Sequence, residues 1–423
     1  MKKVKVGLLG LGTVGSGVLK ILARNQDKIS NIAKRQIEVV KALVRDPKKH
    51  EKEANQVKLV TDFDEILNDK DIEIVIEAIG GLHPAEEFIA SLLEHGKSVV
   101  TANKDLIASH GPRLVEIANR NNVDFMYEAS VAGGIPILNA LSQSFAGDEI
   151  IEIAGIVNGT TNYILTQMVD HHANFQDALK KAQELGFAEA DPTNDITGKD
   201  AAYKMIILTR FAFGANLTFD DFEYHGIEEV KSFDVRQIAK LGYSLKLLGI
   251  SRKVNNHIFV EVGPTLVKQS GQLAHVKNEY NAVGVRSMAV GNSFFFGPGA
   301  GSLPTANSVV SDLMAEVNDM SMTSEAESFN RYQDHLDPAK PKEVFDSFYL
   351  SLKIDAKDDA ILTVSKLLVE HQIGFRELNK VEEGKSTYIV LVTDKISHQQ
   401  LNDFTTAMKK NNISVQAAYK ILK

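Results

Sequence analysis

Apolar positions in the first third of the chain fall into short blocks, and stretches with helical spacing separate them. Residues 4–9 are a largely apolar run read as a strand. Beyond the glycines that follow, Val14, Val18, Leu19, Ile21 and Leu22 recur on one helical face. Further strands are predicted over 36–44, 57–61, 72–78, 98–102 and 124–128. Helices are predicted over 63–68 and 84–95 and again after Lys104. Strands alternating with helices require crossover connections, so residues 1–134 are expected to form a doubly wound parallel sheet in an α/β fold.

The rhythm changes at Ala132-Gly133-Gly134. Residues 135–145 read as a long apolar helix, a strand-rich stretch starts at Glu149, and residues 305–317 return to a helical pattern. Residues 135–335 are therefore read as an α+β domain for substrate binding and dimerisation, with its last helix returning to the first domain. Residues 336–343 contain Pro338 and Pro341 among polar residues and read as a linker. In the tail, 344–423, strands are predicted over 348–354, 375–378, 387–393 and 414–419, with helices over 360–371 and 397–410. That order is βαββαβ, the ferredoxin-like arrangement.

A chain of 423 residues suits two or three domains. Its net charge of −8 argues against a nucleic-acid surface, and without cysteine there is no disulfide, thiolate metal site or thiol nucleophile. No apolar run has the roughly 18 residues that a membrane helix needs. Lys2, Lys3 and Lys5 ahead of an apolar stretch imitate a secretion signal, but glycines break the stretch and a second strand follows. A cytoplasmic protein acting on a small molecule, away from membranes and nucleic acid, is expected.

The first candidate chemistry is Gly10-Leu11-Gly12-Thr13-Val14-Gly15, a G-x-G-x-x-G turn between a strand and a helix. Gly10 permits the turn, Gly12 admits a pyrophosphate to the backbone, and Gly15 lets the helix pack on the strand. The second strand ends without an acid for a ribose 2′-hydroxyl. It carries Arg45, suited to a 2′-phosphate, so NADP is favoured and NAD remains possible; a solvated basic turn is the alternative.

Lys104 lies just past a strand's carboxyl end, where doubly wound sheets bind ligands. Glu189, Asp191, Asp195 and Asp200 crowd a later loop, and Asp200 and Lys204 share a helix face at i, i+4. Such a pair is either a solvated ion pair or a carboxylate orienting a proton-donating ammonium. Asn158-Gly159-Thr160-Thr161-Asn162 precedes a helical pattern and is either a cap or a binding turn. The histidines, His171-His172 included, lack zinc-ligand spacing.

Taken in order, these motifs resemble homoserine dehydrogenase along the whole chain. The glycine turn is joined by Thr101-Ala102-Asn103-Lys104, by residues 127–136 (Tyr-Glu-Ala-Ser-Val-Ala-Gly-Gly-Ile-Pro) and by 158–162. Asp191-Pro192-Thr193, residues 198–204, Gly299-Ala300-Gly301 and Pro304-Thr305 complete the set. The resemblance implies reversible NAD(P)H-dependent reduction of L-aspartate 4-semialdehyde to L-homoserine, in threonine, methionine and isoleucine biosynthesis. It implies Lys204 as proton donor, Lys104 at the reacting oxygen and beside the nicotinamide, and Gly186 and Gly301 lining the nicotinamide side. It further implies that Glu189 and Asp200, with Asp195, Asn158, Gly159 and Thr160, bind substrate. A sodium ion would be held by Glu128 and the carbonyls of Val131, Gly133 and Ile135, an all-oxygen set suited to a hard cation.

The tail looks like an ACT domain, an amino-acid sensor. Where that family carries a glycine after the first strand, this chain has Asp358-Asp359-Ala360-Ile361-Leu362, which argues against threonine feedback. A homodimer or homotetramer is expected, with the tail burying its own apolar faces or pairing with a second copy. Two rival readings are another NADP-linked dehydrogenase of semialdehydes or hydroxy acids, and a non-catalytic NADP-binding sensor.

Overall fold

The computed structural model describes residues 2–320, 328–354 and 359–422. The first part alternates β1 (Lys3–Leu9), α1 (Thr13–Arg24), α2 (Gln26–Ala33), β2 (Gln36–Leu43), β3 (Lys58–Val60), α3 (Asp64–Leu67), β4 (Ile72–Glu77), α4 (Ala85–Glu94), β5 (Ser98–Thr101), α5 (Lys104–Asn121) and β6 (Phe125–Met126). The six strands are parallel in the order β3-β2-β1-β4-β5-β6. That order reverses at β1 and β4, the switch point where such sheets take ligands at the carboxyl ends of the strands.

Next come α6 (Ile137–Asn139), β7 (Ile150–Ile156), α7 (Gly159–Asp170), α8 (Phe175–Glu184), α9 (Thr193–Ile196) and α10 (Lys199–Phe213). They lead to β8 (Glu223–Tyr224), α11 (Ser232–Lys240), β9 (Tyr243–Val254), β10 (His257–Lys268), β11 (Tyr280–Ser287), β12 (Asn292–Pro298) and α12 (Ser302–Asp319). The long helix expected over 135–145 is shorter and looser. Its regular part starts at Ile137, after Pro136, and it ends in a wide turn in which Phe145 N–H donates to the Ala140 carbonyl, five residues back.

The tail comprises β13 (Asp337–Pro338), β14 (Phe345–Ile354), α13 (Asp359–Glu370), β15 (Phe375–Glu383), β16 (Ser386–Thr393), β17 (Ile396–Ser397), α14 (His398–Lys410) and β18 (Ser414–Ile421). Its main strands lie in the order β18-β14-β16-β15, all antiparallel. The pattern is a βαββαβ sandwich around Leu350, Leu352, Val364, Ile389, Leu391, Phe404 and Met408.

Contacts divide the chain into two compact units, and the lines fall differently from those drawn on the sequence. One unit is Met1–Ile150, Tyr203–Thr218 and Ala282–His335; the other is Ile151–Ala202, Phe219–Asn281 and Leu336–Lys423. The first includes α12 because Ala306, Val309, Val310, Leu313 and Val317 share a core with Val4, Val6 and Leu8 of β1. A Cβ on Gly17 of α1 would sit 2.6 Å from the Ser302 carbonyl, so a glycine is what permits that approach.

The second unit includes the tail because β18 pairs with β10 (Thr265 with Lys420, Leu266 with Ile421). Residues 336–343 are therefore no free linker: Asp337 and Pro338 form β13, which also pairs with β10.

Candidate active site

The glycine turn is built as its spacing requires. Gly10 has φ +95°, and a Cβ there would lie 2.8 Å from the Ala78 carbonyl; a Cβ on Gly15 would lie 2.1 Å from the Gly10 carbonyl. A Cβ on Gly12 would meet nothing within 4 Å. Gly12 is also the N-cap of α1, and no side chain caps the first amides, those of Thr13, Val14 and Gly15. Open space above uncapped helical amides fits a dinucleotide pyrophosphate. Arg45 is exposed just beyond β2, and the neighbouring Asp46 carboxylate turns back to accept the Lys48 N–H at 3.1 Å.

At the carboxyl ends of β4 and β5, buried Glu77 organises the backbone. Its carboxylate accepts the N–H groups of Ile79 (2.7 Å) and Gly80 (3.0 Å) and the Thr101 hydroxyl (2.5 Å). Thr101 in turn accepts the Asn103 N–H. Asn103 caps α5 by accepting the Leu106 N–H, and its side-chain N–H donates to the Gly81 carbonyl at 2.6 Å. Lys104 opens α5 on this scaffold, about one-third exposed, with Asp105 3.4 Å away. Sequence reading missed Glu77 as a scaffold; its signal was an acid at the end of an otherwise buried apolar strand.

A second cluster gathers around Asn158, the N-cap of α7. Its side-chain oxygen accepts the Thr161 N–H at 2.8 Å and the Thr161 hydroxyl at 2.9 Å. Its side-chain N–H groups donate to Asp195 and to Asp200, each at 2.7 Å. One carboxamide thus both starts a helix and joins two of the predicted acids. The Thr160 hydroxyl donates to the Phe187 carbonyl at 2.5 Å, tying the turn to the loop that follows α8. On Gly159 a Cβ would sit 2.6 Å from the Glu279 carbonyl.

Asp200 is buried in the first turn of α10, and the half-buried Lys204 is one turn further on the same face. Glu189 and Gly186 are exposed, and Gly186 has φ +77°. Among the described residues, the Asn158 cluster is bonded to Asp195 and Asp200 rather than to Glu189. Gly301 is the exposed N-cap of α12, with φ +129°.

The residues expected to hold a cation form a buried loop. Glu128 takes the N–H groups of Leu138 (2.9 Å) and Asn139 (2.6 Å) and the Asn139 side chain (2.6 Å). Burial raises its carboxyl above the usual range, and these donors offset only part of that rise. The Gly133 carbonyl accepts the Ser308 hydroxyl at 2.6 Å, and the Ile135 carbonyl accepts the Ile137 N–H at 2.8 Å. Glu128 thus caps the helix at Ile137, and the Gly133 and Ile135 carbonyls each accept a hydrogen bond as well. The expected ligands are all oxygen, which suits a hard monovalent cation. Gly133 is fixed by packing: a Cβ would sit 2.7 Å from the Thr305 hydroxyl.

Asp312, unforeseen from sequence, lies beneath this loop. It accepts the Glu128 N–H at 2.8 Å, and complete burial beside Glu128 raises its carboxyl well above the usual range.

Residues 136–314 match the homoserine dehydrogenase family, and residues 10–128 match its NAD-binding domain. This chain belongs to the homoserine dehydrogenase family. It is 39% identical to the homoserine dehydrogenase of Bacillus subtilis, over 100% of this chain and 99% of that protein. It is 39% identical to that of Pseudomonas aeruginosa, over 97% and 96%. The crystal structure of a homoserine dehydrogenase from Thiobacillus denitrificans superposes with a TM-score of 0.95 at 37% identity, covering 100% of this chain and 99% of that one. A hyperthermophilic archaeal homoserine dehydrogenase in complex with NADPH gives 0.65 at 27% identity, over 77% of this chain and 100% of that one.

As a homoserine dehydrogenase, the chain is an NAD(P)-dependent oxidoreductase of amino-acid biosynthesis that interconverts L-aspartate 4-semialdehyde and L-homoserine. Among the described residues, no helix is long and apolar enough to cross a membrane.

Proposed function

We propose that this enzyme prefers NADPH and that Lys204 supplies the proton to the aldehyde oxygen, with Lys104 assisting at that oxygen. When bound, the nicotinamide supplies the hydride to the aldehyde carbon. The carbon–oxygen double bond becomes a single bond, negative charge builds on oxygen, and the Lys204 ammonium delivers a proton there. In the reverse direction neutral Lys204 accepts it. Asp200, one helical turn before Lys204, orients the ammonium and, with Asp195 and Glu189, binds the substrate's amino-acid end. The Asn158-Gly159-Thr160 turn shapes the pocket, and Gly186 and Gly301 line the nicotinamide side.

The observation that carries this reading is the Asn158 carboxamide, which holds Asp195 and Asp200 together at the start of the helix that bears Lys204. The test is Lys204→Ala. The expected turnover loss is about 10²–10⁴-fold, with NADPH binding by fluorescence titration nearly intact. Wild-type turnover would leave Lys204 a helix-surface cation.

NADPH preference rests on Arg45, exposed just beyond β2, with the following Asp46 carboxylate turned back onto the Lys48 N–H. A sodium ion would be held by Glu128 and the backbone carbonyls of Val131, Gly133 and Ile135, an all-oxygen set.

The tail is read as an ACT-type unit that serves assembly. Asp358 of the divergent motif lies outside the described residues. Ala360 packs against the tail's own core, a structural place for the residue standing where a ligand-side glycine would be. Threonine is therefore expected to inhibit weakly or not at all. Exposed Leu362, Val369 and Phe375 support pairing with a second copy into a homodimer or homotetramer, which light scattering measures. The biosynthetic role supports reading the enzyme as cytoplasmic.

A further inference from the structure

Lys246 is a buried lysine whose ammonium, among the described residues, contacts no carboxylate. It stands on β9, 4% exposed, in a second unit cavity of about 390 Å³ lined also by Leu165, Asp170, His275 and Lys277. Its ammonium donates to the Asn162 side-chain oxygen at 3.1 Å and to the Val276 carbonyl. Asp170, a carboxylate that acts on it through charge, pairs with Lys277 at 2.6 Å. Burial accordingly pulls the Lys246 amine down to about 8. A chain that places an uncompensated cation in its interior loses stability unless the oxygens around it are arranged to receive it.

Those oxygens belong to one small device. Asn162, 1% exposed on α7, donates through its side-chain nitrogen to the carbonyls of Val276 (3.2 Å), Asn278 (2.8 Å) and Tyr280 (3.1 Å). With its nitrogen committed to three carbonyls, the buried amide still needs a donor for its oxygen, and Lys246 is that donor. The Thr166 hydroxyl, one turn along α7, accepts the Asn278 N–H at 3.1 Å.

The loop at residues 276–280 is thus fastened to the first turns of α7. Its Glu279 carbonyl lies where a Cβ on Gly159 would stand. Gly159 and Thr160 belong to the same turn as Asn158, whose carboxamide holds Asp195 and Asp200.

We propose that Lys246 is a positioning residue for the substrate pocket: through Asn162 and the 276–280 loop, its ammonium fixes the Asn158–Thr160 turn that gathers Asp195 and Asp200. The inference rests on the reading of that turn as the substrate side of the site. It assigns Lys246 no contact with substrate or cofactor. Loss of the ammonium leaves the Asn162 oxygen without its donor, frees the loop, and loosens the acid pair without touching the nucleotide turn.

The test uses full-length Lys246→Met, close in length and unable to donate. Two readouts are taken: steady-state kinetics with aspartate semialdehyde and NADPH, and amide hydrogen exchange over residues 273–283 and 156–166. The Michaelis constant for the semialdehyde is expected to rise about tenfold, as for loss of a charge-assisted hydrogen bond, with that for NADPH changed less than about twofold. Exchange in both segments should quicken. Lys246→Gln, which can still donate an N–H, should restore much of the wild-type value.

Unchanged exchange in Lys246→Met removes the clamp. Faster exchange with an unchanged semialdehyde constant overturns the proposal as well, because the lysine would then be merely structural. Should Lys246→Met fail to fold, Thr166→Val loosens the same loop from its other anchor and must show the same split in smaller degree; no split there overturns the proposal. A companion Asn158→Ala variant with an unaltered semialdehyde constant would instead remove the substrate-side reading of the turn, while the exchange result would still judge the clamp.

Discussion

At the scale of single residues, Asn158 does two jobs that substitution can separate. Its oxygen caps α7, and its N–H groups hold two acids. Aspartate caps a helix about as well as asparagine but cannot donate and brings a third negative charge to Asp195 and Asp200. Asn158→Asp should therefore raise the semialdehyde Michaelis constant at least as much as Asn158→Ala. The alanine variant should in addition lose about 1 kcal/mol of stability with the cap. Equal, wild-type kinetics in both would show that the acid pair does not depend on this carboxamide.

Arg45 allows a similarly sharp distinction. Only NADPH carries a 2′-phosphate, so Arg45→Ala should weaken NADPH about tenfold and leave NADH nearly unchanged. Parallel losses for both cofactors would take Arg45 out of recognition.

At the scale of elements, the carboxyl end of α12 offers a pH prediction. Glu316, 2% exposed, meets the Asp124 carboxyl beside Ser98, whose hydroxyl accepts the Asp124 N–H at 3.1 Å. Burial, and then Asp124, push the Glu316 carboxyl up to about 9. The folded protein keeps a proton there that the unfolded chain releases near its ordinary carboxyl range. Stability from this group is thus full at acid pH and is lost as pH rises toward 9, at about 1.4 kcal/mol per pH unit for one proton. Glu316→Gln cannot titrate, so its melting temperature should fall less between pH 6 and 9 than that of the wild type. Parallel curves for the two proteins would mean that Glu316 ionises normally.

The strands and helices of the first 134 residues were legible because each buried strand is a short apolar block and each helix carries its apolar positions on one face. The glycine turn was legible for a different reason: three backbone demands fall at fixed spacing. Residues 135–145 were misjudged in length because composition reveals apolar character but not the widened turn at Ala140. Among site residues, Asp200 and Lys204 could be paired by helical spacing alone. Glu77, Asp312 and Lys246 could not, since each bonds a partner far along the chain (Thr101, Glu128 and Asn162, 24 to 184 residues away) that only the fold brings near.

At the scale of the whole molecule, the place of the tail was the point least available to sequence. Its βαββαβ rhythm suggested a unit closed on itself, joined by a linker. The rhythm is there, but β18 continues the sheet of β10, and several buried groups face the tail. The Leu422 N–H donates to the Leu266 carbonyl at 2.9 Å, and Arg252 bonds Asp346 at 2.7 Å. The Tyr349 hydroxyl lies 2.9 Å from Asp234, and Phe233 stacks on Tyr388 with centroids 4.1 Å apart. Lys420 covers the Phe259 ring at 4.3 Å.

Ending the chain at residue 335 would expose β10 as an open edge, bare the Phe233 and Phe259 rings, and leave the Arg252 guanidinium without its Asp346 partner. Every proposed catalytic residue precedes the cut, so the chemistry would survive in whatever fraction folds. The fold itself would be weakened. We expect the shortened enzyme to aggregate, or to melt at least ~10 °C below the full chain, as several lost kilocalories per mole would produce. Calorimetry and light scattering on the two proteins decide the matter. A soluble truncated enzyme melting with the full-length protein would show that the shared strand pairing contributes little and that the tail is, after all, an appended unit.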